Sequence, residues 1–294
     1  GNYRPTTLLC SDYRLLAKVL ANRLGPALGA VITPEQSAFL PKRHIGASVF
    51  FLRHLSHLLR KQDRQGLLAF LDFAKAYDTV DRSFLLEAMR TMGAGPLLCD
   101  WVQLLLSNTQ ARAMVNGFKS RRVTMEAGVR QGCPLAPLLY LFVAQALMCW
   151  LRSQNVGIKL CPSDECRVTA CQYADDTEVI LEGEAAVPPF LQAMDTFAEA
   201  SGQRLNLDKV ELLRIGLTDE APGQTPLAQV SPQPQPPHTS QVETICELKV
   251  VTTASALNLP IDNRLSPPQP NWQERLQTAY QRMQRLSRFP LSTF

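Results

Sequence analysis

The run "LLAFLDF" (Leu67 to Phe73) constrains this chain more than any other feature. It is a near-continuous apolar stretch of strand length with no polar alternation, which predicts a β-strand covered on both faces. Its one polar residue, Asp72, stands at the strand's end. An ionised carboxylate there is costly unless something compensates its charge.

A second acidic position follows about a hundred residues on. "RVTACQY" and "TEVILEG" read as two strands joined by Ala174-Asp175-Asp176, a hairpin with two adjacent carboxylates at its turn. Neighbouring carboxylates repel, and one tends to take a proton unless a cation is present. A hard divalent ion solves both problems, since Mg²⁺ prefers oxygen ligands and takes one or two protein carboxylates, leaving room for water and phosphate oxygens. Taken alone, each position also reads as ordinary structure, Asp72 as a cap or turn residue and Asp175-Asp176 as a solvated turn. Charge and spacing do not bring the two together.

Around these strands the pattern alternates helix, strand and hairpin without a regular βαβ repeat, which predicts an α+β layer fold. Ser11 and Asp12 can cap a helix with Leu16, Val19, Leu20 and Leu24 on one face, and a second helix is expected from about Ile45 to Arg60. Asp81 can cap a third, through Phe84, Leu85 and Met89. Asn116-Gly117 between "ARAMV" and "RRVTME" signals a hairpin. The longest apolar run, Leu135 to Leu151, contains Pro137 and Gln145 and reads as a core helix rather than a bilayer span. From Thr218 to Pro270 the chain is rich in Pro, Gln, Ser and Thr and is expected to be a loose linker or insertion. Helical character returns from Trp272 to Leu286. The net charge of +4 permits a nucleic-acid partner without arguing for one. The eight cysteines show no paired zinc spacing and read as buried, reduced thiols of a cytosolic or nuclear protein. Gly1 is not Met, and residues 1–10 already read as domain interior, so further sequence is expected upstream.

Four segments then occur in order: "FLDFAKAYDTVD" (Phe70 to Asp81), "GVRQGCPLAPLLY" (Gly128 to Tyr140), "QYADDTEVIL" (Gln172 to Leu181) and "SGQRLNLDKVELL" (Ser201 to Leu213). They resemble motifs A to D of reverse transcriptases. Upstream, "NYRPTTLLCSDYRLLAKVLANRL" and "EQSAFLPKRHI" resemble fingers segments of non-LTR (LINE-type) and group II intron enzymes. Tyr-Ala-Asp-Asp with Arg-Gln-Gly-Cys-Pro-Leu points to the non-LTR side.

The resemblance implies a right-hand polymerase: a fingers-like region over 1–66, a palm over 67–216 with an antiparallel sheet backed by helices, a Pro/Gln-rich insertion over 217–270 and a partial helical thumb over 271–294. It implies RNA-directed DNA synthesis with an RNA template, a DNA primer, dNTPs and two Mg²⁺ or Mn²⁺ ions about 4 Å apart. No membrane is implied. Asp72 matches the carboxylate that binds both ions, with the Phe73 carbonyl as a further ligand, Asp175 matches a direct ligand, and Asp176 a weaker one. Tyr77 matches the aromatic gate that crowds a 2′-hydroxyl. Gln131 and Gly132 match the turn that packs on the incoming nucleotide. Lys209 matches a lysine near the leaving pyrophosphate, and Arg4, Lys18 and Arg23 lie where phosphates are met. Residence in the nucleus or cytoplasm is likewise a family expectation.

The chain also departs from the family pattern. The Leu-Gly pair usual after motif D is missing from the nearest stretch, "ELKVVTTASAL", and the segment resembling the first thumb helices ends the sequence. These departures keep a second reading open, a catalytically impaired or co-opted retroelement remnant that binds nucleic acid. A group II maturase shares the motifs but would need a maturase domain after the thumb. A viral RNA polymerase usually carries Gly-Asp-Asp instead.

Overall fold

The computed structural model describes residues 7–161, 167–216, 243–251, 253–256 and 259–262. Arg4 and the expected thumb, 271–294, lie outside the described residues. The chain begins with helices α1 (Ser11–Val31) and α2 (Ile45–Lys61), strand β1 (Gly66–Leu71), and helices α3 (Ala76–Thr79), α4 (Arg82–Thr91) and α5 (Pro96–Leu106). Four two-residue strands follow: β2 (Gln110–Ala111), β3 (Met114–Val115), β4 (Phe118–Lys119) and β5 (Val123–Thr124). Helix α6 (Ala136–Ser153) leads to β6 (Ile158–Lys159), β7 (Arg167–Val168), β8 (Ala170–Tyr173) and β9 (Asp176–Leu181). After α7 (Val187–Ser201) come β10 (Glu211–Ile215), β11 (Thr244–Ile245), β12 (Leu248–Val251), β13 (Thr253–Ala256) and β14 (Leu259–Asp262).

Six strands make the main sheet, in the order β11-β12-β10-β1-β9-β8. β1 lies near the middle, antiparallel to β10 and to β9, and β9 is antiparallel to β8. Leu67, Ala69 and Leu71 pack on one face against α1 and α4 to α7, while Leu68 meets Leu52, Leu55 and Leu59 of α2 on the other. Cover on both faces is why the β1 run shows no polar alternation. The sheet departs from a purely antiparallel one at its far edge, where β12 runs parallel to β10. The stretch between Ile215 and Leu248 is long enough for the crossover that a parallel neighbour requires.

Several sequence expectations meet the structure directly. Asp81 caps α4, its carboxylate accepting from the Phe84 N–H at 2.8 Å. Asn116 and Gly117 both have positive φ, 50° and 83°, as the tight turn between β3 and β4 requires. α6 is long and apolar enough to cross a bilayer by composition, yet most of it is buried in the core.

Others are corrected. The buried face of α1 is Ala17, Leu20, Ala21, Leu24 and Leu28, and Val19 is 47% exposed. The two alanines let the helix sit close, so they outrank a valine as core positions. Cys10, not Ser11, precedes the helix, and no side chain caps it. Ser11 is already helical, while Asp12 in the first turn favours the positive end of the dipole. The span 217–270 is not wholly a loose insertion, because β11 to β14 fall inside it and β11 and β12 join the main sheet. Arg214 of β10 pins that addition through an ion pair to Glu243, and it also pairs with Glu184 ahead of α7. The cysteines also differ from expectation: Cys161 is disulfide-bonded, and Cys10, Cys149 and Cys246 are exposed free thiols.

Candidate active site

The β1–β9 register brings the two acidic positions together. Its last pair is Leu71 with Thr177, so the next step along both strands sets Asp72 across from Asp176. Asp175 precedes Asp176 in the turn from β8. Antiparallel neighbours lie roughly 5 Å apart between Cα atoms, so the three acidic positions share one end of the sheet.

Asp72 is held from the loop after α7. Its backbone carbonyl accepts from the Asn206 N–H at 2.8 Å, and its Oδ2 accepts from the Asn206 side-chain amide and from Lys209 Nζ, each at 3.2 Å. Phe73 bridges Leu205 in the same antiparallel contact. The Lys209–Asp72 pair is half exposed, which makes its net contribution to stability small. What it fixes is position: the Lys209 ammonium stands at the Asp72 carboxylate.

The Asp175-Asp176 turn is held from the other side. Ala174 takes a left-handed conformation, φ 58°, that a non-glycine residue adopts only when its surroundings impose it. Gln36 supplies that imposition. Fully buried, it accepts from the Ala174 N–H at 2.9 Å and from the Ala38 N–H at 3.0 Å, and donates to the Ala174 carbonyl at 3.3 Å. Residues Glu35 to Ser37 also run beside β8, with Gln172 N–H donating to the Glu35 carbonyl and Ser37 N–H to the Gln172 carbonyl. The 35–37 segment is thus hydrogen-bonded into the turn that carries Asp175 and Asp176.

Tyr77 stacks on Tyr140 of α6, with ring centroids 4.7 Å apart. Tyr140 is buried and donates its hydroxyl to Gln203 Oε1 at 3.0 Å, and Gln203 in turn donates to the Ala76 carbonyl at 2.9 Å. The tyrosine pair is therefore fixed from both ends. Burial first, then the charges of Asp175, Tyr77 and Asp176, hold the Tyr140 phenol well above its usual range. Glu178, two residues into β9 on the α2 side, is pushed up to about 8 by burial and then by Asp176.

Gln131 and Gly132 meet different neighbours. The Gln131 side-chain amide donates to both oxygens of Asp78 at 3.3 Å, and the Gln131 backbone carbonyl accepts from the Thr7 N–H at 3.0 Å. Gly132 has φ +98°, and a Cβ there would stand 2.9 Å from the Thr7 carbonyl oxygen, so both its conformation and its close neighbour require glycine. Gly128 closes against the backbone of Asp78 in the same way, where a Cβ would fall 2.5 Å from the Asp78 carbonyl oxygen. Lys18 lies exposed on α1 and makes no hydrogen bond or ion pair with the carboxylates. Sequence reasoning missed Gln36, Asn206 and Gln203 as site residues, since a single amide side chain in a loop carries no periodic signal.

Can this corner hold a metal? Among the described residues, no three His, Cys, Asp or Glu side chains converge tightly enough to form a preformed cage. The donors present are all carboxylate oxygens, the Asp72 side chain is 41% exposed, and the turn's negative charge adds to burial in raising Tyr140. That set fits a hard divalent cation taking part of its coordination from water or phosphate.

Residues 1–276 match the family model described as reverse transcriptase (RNA-dependent DNA polymerase). This chain belongs to the reverse transcriptase family. Its relatives include the uncharacterized 149 kDa protein of transposon TX1 from Xenopus laevis, 31% identical over 71% of this chain and 16% of that protein. The R2 retrotransposable-element polyprotein of Popillia japonica is 28% identical over 71% of this chain and 29% of its own length. The RNA-directed DNA polymerase from mobile element jockey of Drosophila melanogaster is 29% identical over 71% of this chain and 23% of that protein. The chain thus spans less than a third of each of these relatives. Among solved structures, a Candida tropicalis telomerase in complex with a telomeric RNA fragment aligns with TM-score 0.49 at 12% identity, over 69% of this chain and 34% of that one. The reverse transcriptase motifs read in the sequence are therefore those of a non-LTR element, in a family of nucleic-acid-templated polymerases that use divalent metal ions.

Proposed function

We propose that this reverse transcriptase chain extends a DNA primer on an RNA template, joining dNTPs to the primer 3′-hydroxyl with two Mg²⁺ or Mn²⁺ ions bound at Asp72, Asp175 and Asp176. The observation that carries this is the β1–β9 register, which sets Asp72 across from the Asp175-Asp176 turn. Such ions, when bound, activate the attacking hydroxyl and neutralise charge on the leaving pyrophosphate. The Phe73 carbonyl offers a further ligand beside Asp72.

The chain's own residues supply the positioning. Gln36 holds the turn so that its carboxylates need not reorganise. Tyr77, locked against Tyr140, presents a ring that cannot swing away from a ribose 2′-hydroxyl and so favours deoxynucleotides. Lys209, already drawn to Asp72, keeps a cation beside the site where triphosphate charge gathers and can donate a proton to the leaving group. Gln131 and Gly132 form the turn against which the nucleotide packs, and Lys18 with Arg4 adds phosphate contacts from the fingers. Residence in the nucleus or cytoplasm is part of the same proposal.

Primer extension on poly(rA)–oligo(dT) with Mg²⁺ or Mn²⁺ tests the reading, comparing the chain with Asp175→Ala. Metal-dependent extension that the variant loses is the expected result. A folded chain that binds the duplex but does not extend it would overturn the reading in favour of a nucleic-acid-binding remnant.

A further inference from the structure

The segment from Gln110 to Thr124 is a ribbon set apart from the main sheet. β2 pairs only with β5 and β3 only with β4, as separate two-stranded units. Every residue from Arg112 to Thr124 is exposed. Phe118, at the tip beside the Asn116-Gly117 turn, is 81% exposed, and Val115, opposite it, is 66% exposed. An isolated two-stranded hairpin is marginal in water, and one that displays an aromatic tip lacks a partner for it.

Charge says what that partner is. Arg112, Lys119, Arg121 and Arg122 lie on this ribbon, and no Asp or Glu occurs from Gln110 to Met125. Of the chain's 30 Lys and Arg these four leave 26, which balance its 26 Asp and Glu. The mild overall excess of +4 is therefore matched by this one projection, which makes it a local property of the molecule rather than a diffuse one. Among the described residues none of the four side chains makes an ion pair or hydrogen bond.

The base of the ribbon, in contrast, is fixed. The Arg82 guanidinium donates to the carbonyls of Leu106, Met125, Ala127 and Gly128 at 2.7 to 3.1 Å and to Thr109 Oγ1 at 3.0 Å. It joins both ends of the ribbon to the backbone that leads into Gln131 and Gly132. A free cationic tip on a fixed base suits a ligand that carries phosphates and exposes flat faces to stack on Phe118. Unpaired nucleotides have both, whereas a duplex hides its base faces and a protein acid patch offers none.

We infer that the 110–124 ribbon binds single-stranded nucleic acid, with Phe118 stacking on a base and Arg112, Lys119, Arg121 and Arg122 meeting phosphates. Naming that strand as the unpaired template rests on the polymerase reading, while the binding itself does not.

The test measures binding of the whole chain to fluorescent single-stranded RNA and DNA oligonucleotides and to a blunt duplex, over a range of salt. Phe118→Ala is expected to weaken single-strand binding about five- to a hundredfold, with an unchanged salt slope. The joint Arg112→Ala, Lys119→Ala, Arg121→Ala and Arg122→Ala variant is expected to make the log–log salt slope shallower by about 3. Both variants change exposed side chains, and an unchanged melting temperature confirms that they fold. Wild-type single-strand affinity and slope in both variants would overturn the inference. So would a greater loss on the duplex than on the single strand. If wild type fails to extend primers while these variants still lose single-strand binding, the polymerase reading falls and the ribbon's role stands.

Discussion

The carboxylate corner and the 110–124 ribbon both gather charge of one sign, yet they are built by opposite means. Asp72 and the Asp175-Asp176 turn end strands buried on both faces, and a fully buried amide from a distant loop fixes the turn. The ribbon's cations sit on exposed positions on and between two-residue strands that join no larger sheet, and Arg82 grips the ribbon's base. Charges that must meet reacting atoms are preorganised by buried hydrogen bonds. Charges that only grip phosphates keep their rotamer freedom and depend on counterion release.

If that contrast is right, substitutions at the corner should damage chemistry and spare binding, and those on the ribbon the reverse. The largest effect is expected from Asp175→Asn, which should lower primer extension on the order of a thousandfold, as loss of a major charge-stabilising group does. Single-strand affinity, read by anisotropy, should stay within about twofold because that binding is set by the ribbon's phosphate and stacking contacts. Gln36→Leu comes next. It leaves the Ala174 and Ala38 N–H groups without an acceptor, so a loss of roughly 2–3 kcal/mol in denaturant unfolding is expected. Extension should fall with kcat while KM for dNTP changes little, a split that a purely global loss of stability would not produce.

A smaller effect concerns Glu178. Its folded pKa is raised to about 8, so the folded state holds its proton after the unfolded chain has released one. Stability should therefore fall as pH rises from about 4.5 to about 8 and level off above. Glu178→Gln should flatten that slope and, in metal-free buffer at pH 8.5, exceed wild type by roughly 2 kcal/mol. A variant with the wild-type slope would remove Glu178 as the cause. The smallest effect is expected from Gly117→Ala in the ribbon, where φ is +83° but no atom lies within 4 Å of the added Cβ. Only the local strain of about 1 kcal/mol should appear, with extension rate unchanged. A loss as large as that of Gln36→Leu would show that the ribbon belongs to the cooperative core and would erase the comparison.

What the sequence revealed follows the same division. Asp72 was legible because one carboxylate interrupts an apolar run, and the Asp175-Asp176 turn because strand patterns flank it. Asp81 and Asn116-Gly117 carry local signals that act within three residues. Gln36 does not. Its partner Ala174 lies 138 residues away, and nothing in "EQSAFL" marks the amide as buried. Val19 was misplaced because helical spacing allows two apolar stripes, and only the packing of Ala17 and Ala21 chooses between them. β11 and β12 were hidden because strands of two and four residues sit in a Pro/Gln-rich span whose composition outweighs them. Their presence depends on β10 as a template.

The segment from Glu35 to Ser37 has a consequence beyond the turn it steadies. β8 is the last strand of the sheet on its side, and an uncovered outer strand offers a row of amides to any extended chain nearby. The parallel bridge between Gln36 and Gln172 occupies part of that row with the protein's own backbone. The same few residues that set the carboxylates thus also blunt a margin where molecules of this protein would otherwise adhere to one another, so loosening them invites aggregation as well as inactivity.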